Sequence, residues 1–349
     1  MRLPHPIQQY RMPAEWAPHY ATLLSWPRNA QTWPGEKLDR VERVFAQIVQ
    51  ALLPYEAVLI CAGGIEHRVS RVLTRAGIEP GELTLLPFET NDNWMRDHGP
   101  ILVQHRDTQE LAVTNWGYNA WGGKYPPYDL DNQIPEHIAR FLELPVVSPP
   151  LILEGGSIEV DGQGTLLTTE SCLLNPNRNP HLGQAEIEEA LRTHLGIERI
   201  LWLADGVAGD DTDGHIDDLT RLVGTDTILT IVEPAAEDEN YAILQENLRR
   251  IRGFRTATGQ PYRVLQLPMP PPLVADGVRL PASYANYYVA NGVVLLPIFG
   301  VPTDQAAMEI LQQCYPERRI IPIRCEDLLW GLGGIHCVTQ QVPTGVNLT

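Results

Sequence analysis

Positive charge, paired cysteines and long uninterrupted apolar runs are all scarce in these 349 residues. Lys and Arg number 26 against 43 Asp and Glu, a formal charge of -17. Such a chain repels nucleic acid and anionic membrane surfaces at long range and draws in small cations, so neither nucleic acid nor membrane is expected as a partner. The five cysteines, Cys61, Cys172, Cys314, Cys325 and Cys337, are odd in number, widely spaced and contain no C-x-x-C pair. That disfavours a disulfide framework or a cysteine-rich zinc site. The longest apolar stretch, Tyr287 to Val301, is broken by Asn291, Gly292, Pro297 and Gly300 and cannot span a bilayer. Met1 to Trp16 has no apolar core of signal-peptide type, so the expectation is a mature chain that starts here and resides in the cytoplasm. A dinucleotide fingerprint is missing as well, because Cys61-Ala62-Gly63-Gly64-Ile65-Glu66 lacks the full glycine spacing, and no nucleotide cofactor is expected.

What is present is enough apolar sequence, 44% of residues, for a large core. Short apolar runs predict strands at Ala57–Ala62, Leu83–Phe88, Ile101–Gln104, Leu111–Trp116, Thr165–Thr169, Ile200–Leu203, Thr227–Val232, Tyr262–Leu267 and Arg319–Arg324. Between them, apolar residues at three- and four-residue steps predict helices at Leu38–Leu53, Glu66–Ala76, Pro135–Leu144, Ala185–Leu195, Tyr241–Ile251 and Asp304–Cys314. The class is α/β. No low-complexity linker marks a boundary, so residues 1–349 are read as one domain. Periodicity alone does not establish a propeller, although about five strand-rich units of about 70 residues can be drawn.

Four clusters could carry chemistry. Asn91 to Pro100 packs Trp94, Arg96, Asp97 and His98 into a turn before a strand, which a salt-linked turn would also explain. Glu154-Gly155-Gly156 precedes an alternating segment and reads either as a close approach of backbone to ligand or as a hairpin entrance. In Gly209 to Asp218, His215 and Asp217 are two apart and are expected on one side of a strand, where acid/base and anion share a pocket. The acids of that loop do not fit the calcium-loop spacing, so no metal is expected. Last, Gly331-Leu332-Gly333-Gly334-Ile335-His336-Cys337 places Cys337 at an expected strand start beside a pocket. In an extended strand His336 would point away from it, which leaves His215 as the better general base; the other cysteines read as small buried apolar residues.

Together with Tyr10 to Trp16, Asn119 to Tyr125, Cys172 to Pro180 and Pro281 to Asn286, these clusters resemble the agmatine deiminase family along nearly the whole chain. The resemblance implies a five-bladed pseudo-symmetric α/β propeller (pentein) of ββαβ units, of the guanidine-modifying kind. It implies Cys337 as nucleophile, His215 as acid/base, Asp97 and Asp217 as carboxylates gripping a guanidinium, and Glu154 as the acid paired with the histidine. Trp94 and Trp121 either wall the pocket or fill core. The implied reaction turns agmatine into N-carbamoylputrescine and ammonia through an amidino-thioether, in polyamine biosynthesis or agmatine catabolism, with no metal or organic cofactor. Two departures stand out: Gly334 replaces an asparagine common in the family, which removes an amide beside the nucleophile, and Asp218 stands where asparagine is common, which adds negative charge. The rival readings are a peptidylarginine deiminase, a metal-dependent hydrolase on the acidic loop and a non-catalytic binding propeller. Assembly as a homo-oligomer stays open.

Overall fold

The computed structural model describes residues 3–346. Met1 and Arg2, part of the segment read for a signal peptide, lie outside the described residues. Five sheets repeat one connection: two antiparallel strands, then a helix crossing to a third strand parallel to the second. They are Ile101–His105, Leu111–Thr114 and Val146–Val147; Glu159–Val160, Thr165–Thr169 and Arg199–Leu203; and Thr220–Leu222, Thr227–Val232 and Arg263–Pro268. The fourth is Tyr288–Ala290, Val293–Ile298 and Arg319–Arg324. In the fifth, Thr339–Pro343 from the end of the chain pairs antiparallel with His19–Ser25 from its beginning, which then runs parallel to Ala57–Cys61. Thr84–Leu86 extends that sheet, Tyr10–Arg11 adds an antiparallel edge to the first, and Val274–Ala275 with Val278–Arg279 forms a separate hairpin.

The crossover helices form where apolar spacing demanded them. In Lys37–Leu52, Val41, Val44, Phe45, Ile48, Val49 and Leu52 recur at three- and four-residue steps and are buried, the stripe a helix needs to cover a sheet. The middle strand of each sheet is buried nearly throughout, as in Thr227–Val232, because it is paired on both edges and covered by the crossover helix, while the outer parallel strands such as Arg263–Pro268 and Arg319–Arg324 stay partly exposed. No helix among the described residues is long and apolar enough to cross a membrane. Tyr287–Val301 instead supplies two strands of the fourth sheet, Tyr288–Ala290 and Val293–Ile298, with the Asn291-Gly292 turn between them.

One regularity positions the site. A short helical or 3₁₀ turn lies just ahead of the first strand in four sheets: Met95–His98, Gly155–Ser157, Ile216–Asp218 and Ile335–Val338. The first is tethered from outside, since Asp131 Oδ1 accepts the Asn91 and Asp92 N–H groups at 2.7 and 3.3 Å while Asn91 Oδ1 accepts those of Leu130 and Asp131. That reciprocal clasp holds the loop that delivers Asp97.

Candidate active site

The four turns bring their polar residues together. Asp97 comes from the first, Glu154 and Gly156 from the second, His215 and Asp217 from the third and Cys337 from the fourth. Gly156 is the hub: its N–H donates to Asp97 Oδ1 at 3.1 Å, and a Cβ built on it would lie 2.6 Å from His215 Nδ1, 2.7 Å from Asp97 Oδ1 and 3.1 Å from Asp217 Oδ2. Only glycine lets three ionisable groups from two other sheets meet around one backbone atom. Trp121 donates from Nε1 to Asp97 Oδ2 at 3.1 Å. His215 Nδ1 stands 3.6 Å from Asp97 Oδ1, and Asp217 Oδ2 lies 3.9 Å from Cys337 Sγ. Asp97, His215, Asp217 and Cys337 are 5% exposed or less, yet Asp97 and Cys337 open onto a cleft walled by Trp94, Trp121, Tyr125 and Leu332.

Several buried polar atoms at this site have no partner among the described residues: both ring nitrogens of His215, Glu154 Oε2 and Asp217 Oδ1. Buried polar groups are ordinarily satisfied, so this concentration marks a place that a ligand completes. Burial alone pulls His215 down, but Asp97, then Cys172 and Asp217, raise it well above its usual value. Burial, aided by Asp217 and Glu154 against His215, pushes Asp97 up to about 6. Asp217 goes the other way: burial would raise it, but His336, His215 and Arg221 hold it below the ordinary range. Burial, Asp217, Asp218 and Asp97 push the Cys337 thiol well above the usual value, with the Gly334 backbone acting against them. These surroundings favour the thiol over the thiolate, and a cation bound between the carboxylates would act in the opposite sense.

Several expectations need correction. His215 and Asp217 do not sit on a strand; His215 precedes the 3₁₀ turn Ile216–Asp218, whose tight curvature, not strand alternation, brings both inward. Cys337 lies inside the turn Ile335–Val338, just ahead of its strand. Because that turn is helical, His336 does not point away from the site: Nδ1 faces Asp217 Oδ2 at 2.7 Å and Nε2 faces Glu15 Oε2 at 2.6 Å. With both nitrogens committed to carboxylates, it is still not the free base. Glu154 makes no hydrogen bond to His215. Its Oε1 takes Arg178 Nε at 2.6 Å, while its carboxylate, the Cys172 sulfur and a ring nitrogen of His215 lie within 4.8 Å of one another. Asp218 adds less charge than its identity suggests, because burial, Asp217 and Asp210 raise its pKa and favour the neutral acid. Trp94 and Trp121 do both things considered for them, walling the cleft while almost fully buried.

Sequence reasoning missed Glu15. It receives Arg96 at 3.2 Å, Arg221 at 2.9 Å and His336, forming a buried ionic floor beneath Asp217. A lone carboxylate between Ala14 and Trp16 gave no sign of this, since its partners are distant in the chain. Cys172 is also more than apolar filler, given its place beside His215. The acidic loop is occupied with itself: Asp210 accepts the Thr212, Gly214 and His215 N–H groups, and Asp213 binds Arg178 and Lys124. Among the described residues, the two groups whose donor atoms cluster closely enough for a metal are Glu154, Cys172 and His215, and Asp217, Asp218 and Cys337. Both belong to the site just described.

The chain matches proteins already known over almost its full length. It is 38% identical over 96% of its length to the agmatine deiminase of Pseudomonas aeruginosa, covering 95% of that protein. Its structure superposes on the agmatine deiminase of Enterococcus faecalis with a TM-score of 0.92 and 29% identity, covering 99% of this chain and 100% of the other. It superposes on the C. jejuni agmatine deiminase solved with substrate bound at 0.86 and 29%, covering 97% of each. A fold-level likeness, TM-score 0.53 at 12% identity, extends to an amidinotransferase from Microseira wollei, over 96% of this chain and 97% of that one. A model described as Porphyromonas-type peptidyl-arginine deiminase matches residues 11–343, so the resemblance carried by the four clusters holds, and the chain belongs to that family together with its agmatine deiminase relatives.

Proposed function

We propose that this protein hydrolyses the guanidinium of agmatine to N-carbamoylputrescine and ammonia, with Cys337 as the nucleophile. The observation that carries this reading is the sulfur of Cys337 3.9 Å from Asp217, at a cleft whose buried wall also holds Asp97. A guanidinium carbon is deactivated by resonance, so its cation must be held and oriented before a thiolate can attack. Asp97 and Asp217 supply that grip. The thiolate adds to the guanidino carbon, His215 gives a proton to the departing ammonia, and an amidino-thioether remains. His215 then takes a proton from water as the water adds to the same carbon; the carbon–sulfur bond breaks, and the ureido product leaves with the sulfur restored. Glu154, held by Arg178, lends negative charge to the histidine's side of the site. No metal or organic cofactor enters these steps.

The five ββαβ sheets, four of them delivering site residues from the turn ahead of their first strand, support a five-bladed propeller with residues 1–349 as one catalytic domain. Asp92 and Asp211 line the same cleft, and an acidic wall favours the free amine of agmatine over the carboxylate of arginine. The acidic surface and the small polar substrate fit a cytoplasmic enzyme with no nucleic-acid or membrane partner.

The test is release of ammonia and carbamoyl product from agmatine, free arginine and an arginine peptide, in buffer with chelator. Agmatine should be turned over and the other two should not. Turnover of the peptide alone would move the assignment to a protein-modifying deiminase, loss of activity in chelator to a metal hydrolase, and silence on all three to a binding role. The pH profile follows from Asp97. Its folded-state value of about 6 lies above the ordinary 3.8, so its grip exists only above that value, and kcat/KM should fall as pH drops through about 6. A profile flat from pH 5 to 7 would contradict it.

A further inference from the structure

Four of the five sheets place site residues just ahead of their first strand. The fourth sheet has Asn286 in that position, two residues before Tyr288–Ala290, and no role has yet been given to it. We propose that Asn286 is a catalytic residue whose side-chain amide donates to the Cys337 sulfur, and that position 334 is glycine because this amide fills the space a side chain there would need. The proposal rests on Cys337 being the attacking sulfur.

Asn286 is 1% exposed, and its orientation is determined by its partners. The backbone N–H of His336 can only donate, and it points at Asn286 Oδ1 from 2.9 Å. That turns Nδ2 the other way, where one amide nitrogen serves two acceptors: Cys337 Sγ at 3.2 Å and Asp218 Oδ1 at 2.9 Å. Every polar atom of the amide is thus satisfied, and its orientation is fixed before substrate arrives. The sulfur otherwise faces Asp217, Asp218 and Asp97, all of which oppose ionisation. A donor at Sγ acts in the opposite sense and gains strength as negative charge develops there.

Gly334 has extended backbone, φ -114° and ψ -161°, open to any residue, so glycine is not needed for its backbone. A Cβ on it would collide with Asn286 Oδ1 and lie 2.8 Å from Cγ. The departure at 334 reads from sequence as the loss of an amide beside the nucleophile; in this chain an amide still reaches the sulfur, from position 286. Asp218, the second departure, is the acceptor that anchors it.

The test compares wild type, Asn286→Ala, Gly334→Ala, their double variant and Cys337→Ala. For each, one measures kcat with agmatine, the pH dependence of Cys337 alkylation by iodoacetamide located by peptide mass, and the thermal midpoint. Asn286→Ala should lower kcat about ten- to hundredfold, the size expected for a lost hydrogen bond to a charged atom, and move the alkylation midpoint to higher pH. Gly334→Ala should do the same in wild type by displacing the amide, but should cost less than about twofold more once residue 286 is alanine, because the two changes remove one interaction. An Asn286→Ala enzyme with kcat within about twofold of wild type and an unmoved midpoint overturns the proposal, as does a Gly334→Ala penalty equal in both backgrounds. If Asn286→Ala does not fold, Gly334→Ala carries the test with Asn286 in place: an upward midpoint supports the proposal and an unmoved one overturns it. Activity surviving in Cys337→Ala would remove the underlying reading of the site. Activity lost there but retained in Asn286→Ala would sink this proposal alone.

Discussion

Cys337→Ala is expected to lower agmatine turnover to background, a loss of about 10⁴-fold or more by comparison with other enzymes stripped of their nucleophile. The size follows from the absence of a substitute. The other sulfur near the acid/base is Cys172, fully buried, and burial first of all raises its pKa even with His215 beside it. It opens onto no part of the cleft. Water could still meet a guanidinium held by Asp97 and Asp217, but water is a poor nucleophile toward a carbon stabilised by three nitrogens, and positioning alone recovers little of that barrier. Steady-state ammonia release, with intact-protein mass spectrometry for an amidino adduct in wild type, checks both halves. Residual turnover above about one per cent of wild type, or wild-type turnover with no adduct under rapid quench, would count against covalent catalysis at this residue.

Gly156→Ala is expected to have the next largest effect, although it adds one methyl group and removes none of the reacting atoms. That methyl would sit 2.6 Å from His215 Nδ1 and 2.7 Å from Asp97 Oδ1, closer than such atoms approach one another. His215 and Asp97 are also nearly devoid of exposure, so neither can swing clear into solvent. Relief requires the acid/base and a gripping carboxylate to separate by something like 1 Å, and displacements of that order cost about 10²-fold in rate. With two groups displaced together, kcat/KM should fall about 10²- to 10⁴-fold, while the overpacking itself costs about 1–3 kcal/mol of stability. Kinetics and thermal denaturation on the same sample separate the two. Activity within about tenfold of wild type would show that the three turns are more compliant than their packing implies.

Much of this was legible in the sequence, for identifiable reasons. Strands such as Thr227–Val232 and helices such as Asp304–Cys314 show the period that burial imposes, and they stand where it put them. His19–Ser25 and Thr339–Pro343 were not seen, because neither reads as an isolated apolar run; Thr339–Pro343 pairs with His19–Ser25, which pairs with Ala57–Cys61 on its other edge. In the site, Asp97, Glu154, His215, Asp217 and Cys337 were found through their motifs, and the structure brings them together. His336 was misjudged because a strand was assumed where the backbone turns helically. Asn286 and Glu15 could not be read from local pattern. Asn286 reaches Cys337 across 51 positions, and Glu15 meets His336 across 321. No local pattern spans such separations, so only the folded chain shows them as neighbours.

The pairing of Thr339–Pro343 with His19–Ser25 also matters for the timing of synthesis. The strand His19–Ser25 is made more than three hundred residues before its partner Thr339–Pro343. Until that partner emerges from the ribosome, His19–Ser25 has one open edge, a liability for a buried strand, and the turn bearing Cys337 lacks the strand that continues it into the fifth sheet. The sheets that carry Asp97, His215 and Asp217 draw every strand from residues ahead of that partner, so they can be synthesised in full before the thiol has its place among the carboxylates.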